Sequence, residues 1–581
     1  MIPWRRIAAT CAALLATALV LPAPRAAHRA HLSIDLISHE ARHSSERTRV
    51  ILHGTTGDAS AIAARHHLQV LKSLSDGVVV LANSDEMSEL AGDGDAGALS
   101  GDLRVRTWMS VSNASTGADQ TRAGQPGGLL GIGAIPGVNG QGVGVAVIDS
   151  GVSPHPAIAN RIVANVSLVT GDPSYLDAFG HGTHVAGIIA GSGAAASGVT
   201  PLYNGGIAPG ASIINVRVLG ADGTGLTSDV IAGIDWTIEN RARYNIRIIN
   251  LSLGHEVTEP ALLDPLDQAV ARAVDAGLIV FAAAGNNGVA ESGAPILGGI
   301  MVPGNSPVAI TVGAVNTQGT VNRGDDAIAT YSSRGPTKYD LAVKPDLAAP
   351  GNRIISLEAQ RSYLIRNYSS LHIAGTPTNA YMRLSGTSMA TPMVSGAAAL
   401  LLQGNPGMSG AQMKIALQMG ATYMPRAGLM GAGAGNANFW ASRKMSQSGL
   451  LSLPVSIIGG LLTQSSGAAF WDAGTLTGRL YGGVGMRLLS LLQLPLVWLN
   501  PSQLHFGDLN LAGLTNTLAT VAPNPLIWGE VAQWTGAQDG DQVIWGTDIW
   551  NPSGQQVIWG TDAGDGDQVI WGTTLTDPNA Q

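Results

Sequence analysis

The 581-residue chain contains one cysteine, Cys11, and it lies inside an N-terminal apolar run. No disulfide can therefore form downstream of that run, even in an oxidising compartment. Cys11 also precedes most of the apolar residues, which is the wrong place for a lipid-bearing cysteine. Charge is scarce as well: Asp, Glu, Lys and Arg make up 12% of the chain, against about 25% in an average soluble protein. The net charge of −8 comes without a basic stretch able to track phosphates, which argues against nucleic acid as a partner. Long apolar runs are missing too. The run from Ile7 to Leu21 is about 15 residues, short of the roughly 20 that cross a bilayer. The greasy run from Met486 to Leu499 is shorter still and contains Arg487 and Pro495, so it reads as buried packing.

What the chain has in quantity is glycine, 76 residues, which makes it loop-rich and tightly turned rather than unstructured. Its length suggests about three or four units, one of them large. At the start, Trp4-Arg5-Arg6, the apolar run and Pro22-Ala23-Pro24-Arg25-Ala26-Ala27 follow the charged, greasy, small-residue order of a cleaved export signal over residues 1–27. Arg5-Arg6 hints at twin-arginine export, but the surrounding residues match that signal poorly.

Residues 28–118 read as a small α+β unit. Strands are expected at Arg49–His53, Gly77–Leu81 and Leu103–Trp108, and helices at Ala59–Leu68 and Ser84–Leu90, the second capped by Ser84. The segment Ser112–Gly128, rich in Gly, Ser and Thr, reads as an exposed connection open to cleavage. Residues 119–444 form the main domain. Continuous apolar runs at Val143–Ile148, Ser212–Leu219, Ile246–Leu253, Leu278–Ala284 and Val308–Val312 suit strands buried on both faces. Helices are expected between them at Ser228–Tyr244 and Leu263–Ala276. The reading is therefore an α/β fold with a mostly parallel, doubly wound sheet and helices on both faces, and ligands gather beyond the carboxyl ends of its strands.

An apolar, Gly-rich extension follows over 445–520, then a β-leaning tail over 521–581. In the tail, Val543-Ile544-Trp545-Gly546-Thr547, Val557-Ile558-Trp559-Gly560-Thr561 and Val569-Ile570-Trp571-Gly572-Thr573 repeat one unit, with Leu526-Ile527-Trp528-Gly529 as a degenerate copy. Such repeats need neighbours to bury their apolar face, so a small stack of strands is favoured over a glycan- or wall-binding face.

Three segments carry chemistry. They are Val145-Ala146-Val147-Ile148-Asp149-Ser150-Gly151, His181-Gly182-Thr183-His184-Val185-Ala186-Gly187 and Gly386-Thr387-Ser388-Met389-Ala390-Thr391-Pro392. Singly, Asp149 reads as a turn aspartate, His181 as a helix-opening histidine and Ser388 as a helix cap. Together they supply what a nucleophilic serine needs: a hydroxyl, an imidazole to take its proton, and a carboxylate to fix the imidazole's tautomer. Ser388 opens a helix toward Gln403, with Pro392 expected in its first turn, and a helix N-terminus favours developing negative charge.

In these motifs and their Asp, His, Ser order the chain resembles the subtilisin-like serine peptidases, an order long assigned to subtilisin. The resemblance implies a secreted serine endopeptidase in which Asp149 orients His181, His181 acts as general base and acid, and Ser388 attacks. It implies a structural role for His184. It places an oxyanion donor at Asn286, within Ala283-Ala284-Gly285-Asn286-Asn287-Gly288, beside the N–H of Ser388. Gly223-Thr224-Gly225 and Ser252-Leu253-Gly254 resemble the family's substrate-flanking segments, with Ala283, Ala284 and Gly285 lining the primary pocket. These segments hold no acidic residue, so a broad, apolar-leaning preference is expected. The 28–118 unit resembles the family's propeptide, an intramolecular inhibitor that the enzyme cuts away. The resemblance requires no cofactor. It does bring calcium into view as a structural ion, but the matching loop here, Tyr203-Asn204-Gly205-Gly206, is short and poor in oxygen donors for an ion that wants six or more. The expected partners are protein or peptide substrates, the chain's own propeptide and, through the tail, a cell surface or wall. The competing readings are a surface adhesion protein whose tail binds a ligand, and an acyl transferase using the same triad.

Overall fold

The computed structural model describes residues 29–465 apart from 33, 41–42, 44, 75–76, 102–107, 128–133, 290–294 and 448–454. Beyond 465 it describes the strand segments 469–471, 477–481, 508–510, 543–545, 569–571 and 575–576. The signal reading, the Met486–Leu499 run and most of the expected Leu103–Trp108 strand lie outside the described residues. The chain divides into two compact units, Met1–Val105 and Arg106–Gln581.

The first unit is a five-stranded sheet with strands in the order His31–Leu32, Ala98–Gly101, Thr48–His53, Gly77–Ala82 and Val70–Leu74. Alternation along Thr48–His53 buries Val50 and Leu52, which share a core with Ile62 and Ala63 of helix Thr56–Arg65 and Met87 and Leu90 of helix Ser84–Ala91. The cap of the latter helix is Asn83, one residue earlier than expected. Its side chain accepts the N–H groups of Asp85 and Glu86, and Glu86 reaches back to the Asn83 N–H at 2.9 Å. Asn83 prevails because Ser84 is already helical and turns its hydroxyl to the Glu40 carbonyl.

The second unit is built on a sheet ordered Ala327–Ile328, Ile310–Asn316, Ile279–Ala283, Ile246–Leu251, Gly144–Asp149, Ser212–Arg217 and Ile162–Ser167, with Leu347–Pro350 also paired to Ile310–Asn316. Every pairing is parallel except that of Ala327–Ile328. All six residues of the central strand Gly144–Asp149 are buried. The reason is visible in the alternation of its side chains. Val145 and Val147 point into one apolar core with Val185, Ile188, Met393 and Val394 from helices His181–Ala190 and Thr387–Gly404. Ala146 and Ile148 point into another with Val230, Ile234, Leu266 and Val270 from helices Thr227–Asn240 and Pro265–Asp275. The register pairs Leu251 with both Ile148 and Ala282, so three neighbouring strands end level, with Asp149, Ser252 and Ala283 next along the chain. That common edge is where the candidate residues gather.

The segment Ser112–Gly128 differs from the open connection expected. Helices Trp108–Ser115 and Ala118–Ala123 occupy most of it, and Ser112, Asn113, Thr116 and Thr121 are buried. Its small polar residues turn inward: the Thr116 carbonyl accepts the Phe439 N–H at 2.7 Å, and the Ser115 carbonyl accepts the Arg323 guanidinium at 2.7 Å. In the C-terminal part, Val455–Ile458 and Leu461–Gln464 form a hairpin turned by Gly459 and Gly460, both at positive φ. Two of the tail repeats pair in register, Val543 with Val569, Ile544 with Ile570 and Trp545 with Trp571. Among the described residues no helix is long and apolar enough to cross a membrane.

Candidate active site

Asp149 closes the central strand and is fully buried. His181 opens helix His181–Ala190 and is equally buried. Glycine brings the two together. A Cβ at Gly182 would lie 2.2 Å from the Gly151 carbonyl oxygen and 3.2 Å from the Asp149 Cβ, so only glycine lets the helix start lie flush on the strand end. His181 Nδ1 then lies 2.7 Å from Asp149 Oδ1, which also accepts the Ser150 N–H at 2.7 Å. A carboxylate only accepts, so the neutral ring carries its proton on Nδ1 and its lone pair on Nε2. His184, one turn on, bonds through Nε2 to the Ile354 carbonyl at 3.2 Å. Burial first, and His181 second, push its pKa down to about 3, which keeps it a neutral packing residue.

Ser388 is the second residue of helix Thr387–Gly404, which packs against the His181 helix. Its hydroxyl donates to the Ser252 carbonyl at 3.1 Å, and the Ser252 hydroxyl donates to the Ser388 carbonyl at 2.9 Å. Pro392 is not in the first turn as expected but inside the helix. Its position is explained by the bond it lacks: the missing N–H would have gone to the carbonyl of Ser388, four residues back, and that carbonyl takes Ser252 instead. Asn250 extends the chain of bonds, donating to Ser252 Oγ at 2.9 Å and accepting from Ser395 Oγ at 2.8 Å.

Asn286 is buried, and its Oδ1 accepts both the N–H of Thr387, at 3.0 Å, and the Thr387 hydroxyl, at 3.1 Å. The group it has left to offer is its Nδ2 amide, a donor. Thr387 Oγ1 in turn accepts the Gly285 N–H at 3.2 Å, tying the Ala283–Gly285 segment to the start of the Ser388 helix. Asn287 behaves as a loop residue, its N–H donating to Ser333 Oγ at 2.9 Å.

The substrate-flanking segments border the same edge. Gly223 lies over the ring of Phe179, so close that a Cβ would fall 2.3 Å from it, and Phe179 stands two residues before His181. Gly225 and Leu226 pair in parallel with Leu575 and Thr576, so this edge is already partnered in the intact chain. Leu253 is buried, and Gly254 abuts the Val302 carbonyl. Ala283 ends its strand, Ala284 donates to the Val312 carbonyl at 3.0 Å, and Gly285 adopts φ +100° against Met301 and Ser333. The structure therefore bonds Asp149 to His181 directly and joins Ser252, Asn286 and Ser388 through backbone groups and Thr387. Sequence reasoning missed Thr387, Asn250 and Ser395. Thr387 stood inside a motif already quoted; Asn250 and Ser395 left no signal, being ordinary polar residues in a strand and a helix.

The Tyr203–Gly206 loop does not fit a cation. The Asn113 amide donates to Asn204 Oδ1 at 2.6 Å and to the Gly205 carbonyl at 3.0 Å. The Arg122 guanidinium donates to the carbonyls of Gly206, at 2.8 Å, and Ile207, at 3.3 Å. Asn204 Oδ1 and the Gly205 and Gly206 carbonyls are thus taken by side chains of the Trp108–Ala123 segment.

Residues 140–438 match the subtilase family, Peptidase_S8. Over 307 residues the chain is 40% identical to the serine protease AprX of Bacillus subtilis (strain 168), a match covering 52% of this chain and 66% of AprX. It is 37% identical over 301 residues to subtilisin BL of Lederbergia lenta, covering 52% of this chain and 91% of that protein. Among solved structures, a cold adapted subtilisin-like serine proteinase matches with a TM-score of 0.39 and 30% identity over 56% of this chain and 97% of its own. The chain belongs to the subtilase family and is a subtilisin-like serine endopeptidase.

Proposed function

We propose that this chain is an exported endopeptidase that cleaves peptide bonds through an acyl-enzyme on Ser388, with His181 as general base and acid and Asp149 as the group that orients it. The observation that carries this reading is the buried 2.7 Å contact of His181 Nδ1 with Asp149, on a helix that packs against the long helix whose second residue is Ser388. For attack, the Ser388 hydroxyl turns from the Ser252 carbonyl to His181 Nε2 and gives up its proton as its oxygen bonds to the scissile carbonyl carbon. Negative charge moves to the carbonyl oxygen, where Asn286 Nδ2 and the Ser388 N–H donate. His181 then protonates the leaving amine, and a water repeats the sequence to release the acid. An extended substrate backbone has Ser252–Gly254 to pair with, Gly223–Gly225 once Leu575–Thr576 leaves that edge, and Ala283–Gly285 to receive its side chain.

Replacing Asn286 by Leu is expected to lower kcat about 10²–10³-fold with little change in KM, the scale known for subtilisin itself. Steady-state kinetics on a peptide amide check this, and an unchanged kcat removes Asn286 from the oxyanion role.

The N-terminal unit acts as the propeptide, and self-cleavage falls within 102–107, between strand Ala98–Gly101 and the buried helices that open the second unit. The 1–27 signal exports the chain, and the enzyme works outside the cell. At the Tyr203–Gly206 loop Arg122 and Asn113 replace a structural cation. Arg122→Ala is therefore expected to lower the unfolding midpoint in urea, by about 1–3 kcal/mol of stability, whereas a chelator leaves the wild-type midpoint where it was. A chelator-sensitive wild type with an indifferent Arg122→Ala variant refutes this replacement.

A further inference from the structure

Asp177 takes no part in the chemistry above, yet it is 2% exposed and stands four residues before His181. Its Oδ1 accepts the Ser150 hydroxyl at 2.8 Å and the Gly180 N–H at 2.6 Å. Its Oδ2 accepts the Thr183 N–H at 2.8 Å. The partners are linked in turn. Ser150 Oγ accepts the Gly182 N–H at 3.0 Å, Thr183 Oγ1 accepts the Ser153 N–H at 3.0 Å, and the Asp177 N–H donates to Ser153 Oγ at 3.2 Å. A closed set of bonds therefore joins the loop that follows Asp149 to the first turn of the helix that begins at His181.

Two physical demands meet at this carboxylate. The helix has glycine at its N-cap, Gly180, with no side chain to accept the first N–H groups. Asp177 takes over that task, and a negative charge at a helix N-terminus is favoured by the helix dipole. The flush contact at Gly182 stops the helix start from approaching Asp149 further, but not from sliding or turning along the strand end; Asp177, bonded on both sides of that contact, blocks that motion. Burial raises the Asp177 carboxyl above its ordinary value, and its hydrogen bonds offset only part of that rise. The Ser150 hydroxyl and the Gly180 and Thr183 N–H groups all donate to it, which suits a carboxylate.

We propose that Asp177 is a positioning residue for peptide hydrolysis, holding Asp149 and His181 in register so that the imidazole stays aimed at Ser388. The proposal rests on the triad reading. Asp177→Asn keeps the shape but sets an amide NH2 against donors. In the full chain this variant is expected to lose about 10–100-fold in kcat with KM held within about twofold, the scale of a small misplacement of reacting groups. Its rate of inactivation by a serine-directed phosphonate is expected to fall in parallel, since that reaction also needs His181 to take the Ser388 proton. Ser150→Ala, which deletes one hydroxyl, guards against misfolding of the first variant. It is expected to lose a few-fold in kcat with a urea midpoint lowered only by the loss of one buried hydrogen-bonding group, about 1–3 kcal/mol, and the double variant is expected to fall short of the product of the two losses in kcat. A reactive wild type matched in kcat by Ser150→Ala, with Asp177→Asn altered only in stability or not at all, overturns the positioning role. A wild type that neither hydrolyses peptides nor reacts with the phosphonate overturns the triad reading first, and this proposal with it.

Discussion

Ser388→Ala is expected to leave the chain with its N-terminal unit still attached and with no hydrolysis of unfolded protein above background. The hydroxyl is the one group in the proposed mechanism with no substitute. Asn286 and the Ser388 N–H still polarise a carbonyl, but nothing bonds to its carbon, so only the catalysis that water achieves in that environment remains. For subtilisin itself the loss is about 10⁶-fold in kcat, and that scale is borrowed for this chain. Two measurements separate its parts. Mass spectrometry of the purified variant reports whether cleavage within 102–107 has occurred, and a casein-type assay reports turnover. Cleavage of the variant during expression assigns maturation to another protease; turnover by the variant ends the Ser388 assignment.

Asp346→Ala is expected to destabilise the second unit by about 3–5 kcal/mol, the cost of leaving buried charge without its partner. Asp346 is fully buried between two lysines that are themselves buried. Lys344 Nζ lies 2.8 Å from its Oδ2 and Lys414 Nζ 2.7 Å from its Oδ1. Oδ2 also accepts the Thr311 N–H at 2.8 Å. Removing the carboxylate takes the balancing charge from two buried ammonium groups, although the Ala309 carbonyl and Thr311 hydroxyl still hold Lys344 at 2.9 Å. Urea unfolding in the Ser388→Ala background, where autolysis cannot intervene, measures the effect; a loss below about 1 kcal/mol refutes it.

The sign of the pH dependence follows from the same group. Burial raises the Asp346 carboxyl, but Lys344 and Lys414 outweigh it and hold the carboxyl below its ordinary value. A depressed carboxylate contributes stability above its unfolded pKa of about 4 and loses that contribution as pH falls through the folded value. The background protein is therefore expected to lose stability below about pH 4, and the Asp346→Ala variant to show a flatter acid limb.

The sheet was legible because its strands are buried on both faces. Runs such as Val143–Ile148 and Ile246–Leu253 have to be largely apolar, and strands Gly144–Asp149 and Ile246–Leu251 match them to within two residues at either end. Strand Ile162–Ser167 escaped notice because it lies at the sheet edge, half-buried, with a mixed pattern. The Ser112–Gly128 segment misled because small polar residues serve an exposed loop and a tightly packed helix pair equally well. Pro392 misled in a related way: a helix-interior proline reads as an error until a neighbour claims the carbonyl it releases.

The sequence by itself determined which side chains can do chemistry here, their order along the chain, and the alternation of strands and helices that delivers them to one edge. Side-chain type and apolar pattern are local properties, written residue by residue. Only the tertiary structure decided how these groups are held: the Ser252 carbonyl against the Ser388 hydroxyl, Thr387 turning the Asn286 amide, Arg122 and Asn113 filling the Tyr203–Gly206 loop, and Asp177 binding two loops into one. Those contacts run through backbone N–H and carbonyl groups and through common serines and threonines. Such groups are alike everywhere in a sequence, and only their places in space tell one from another.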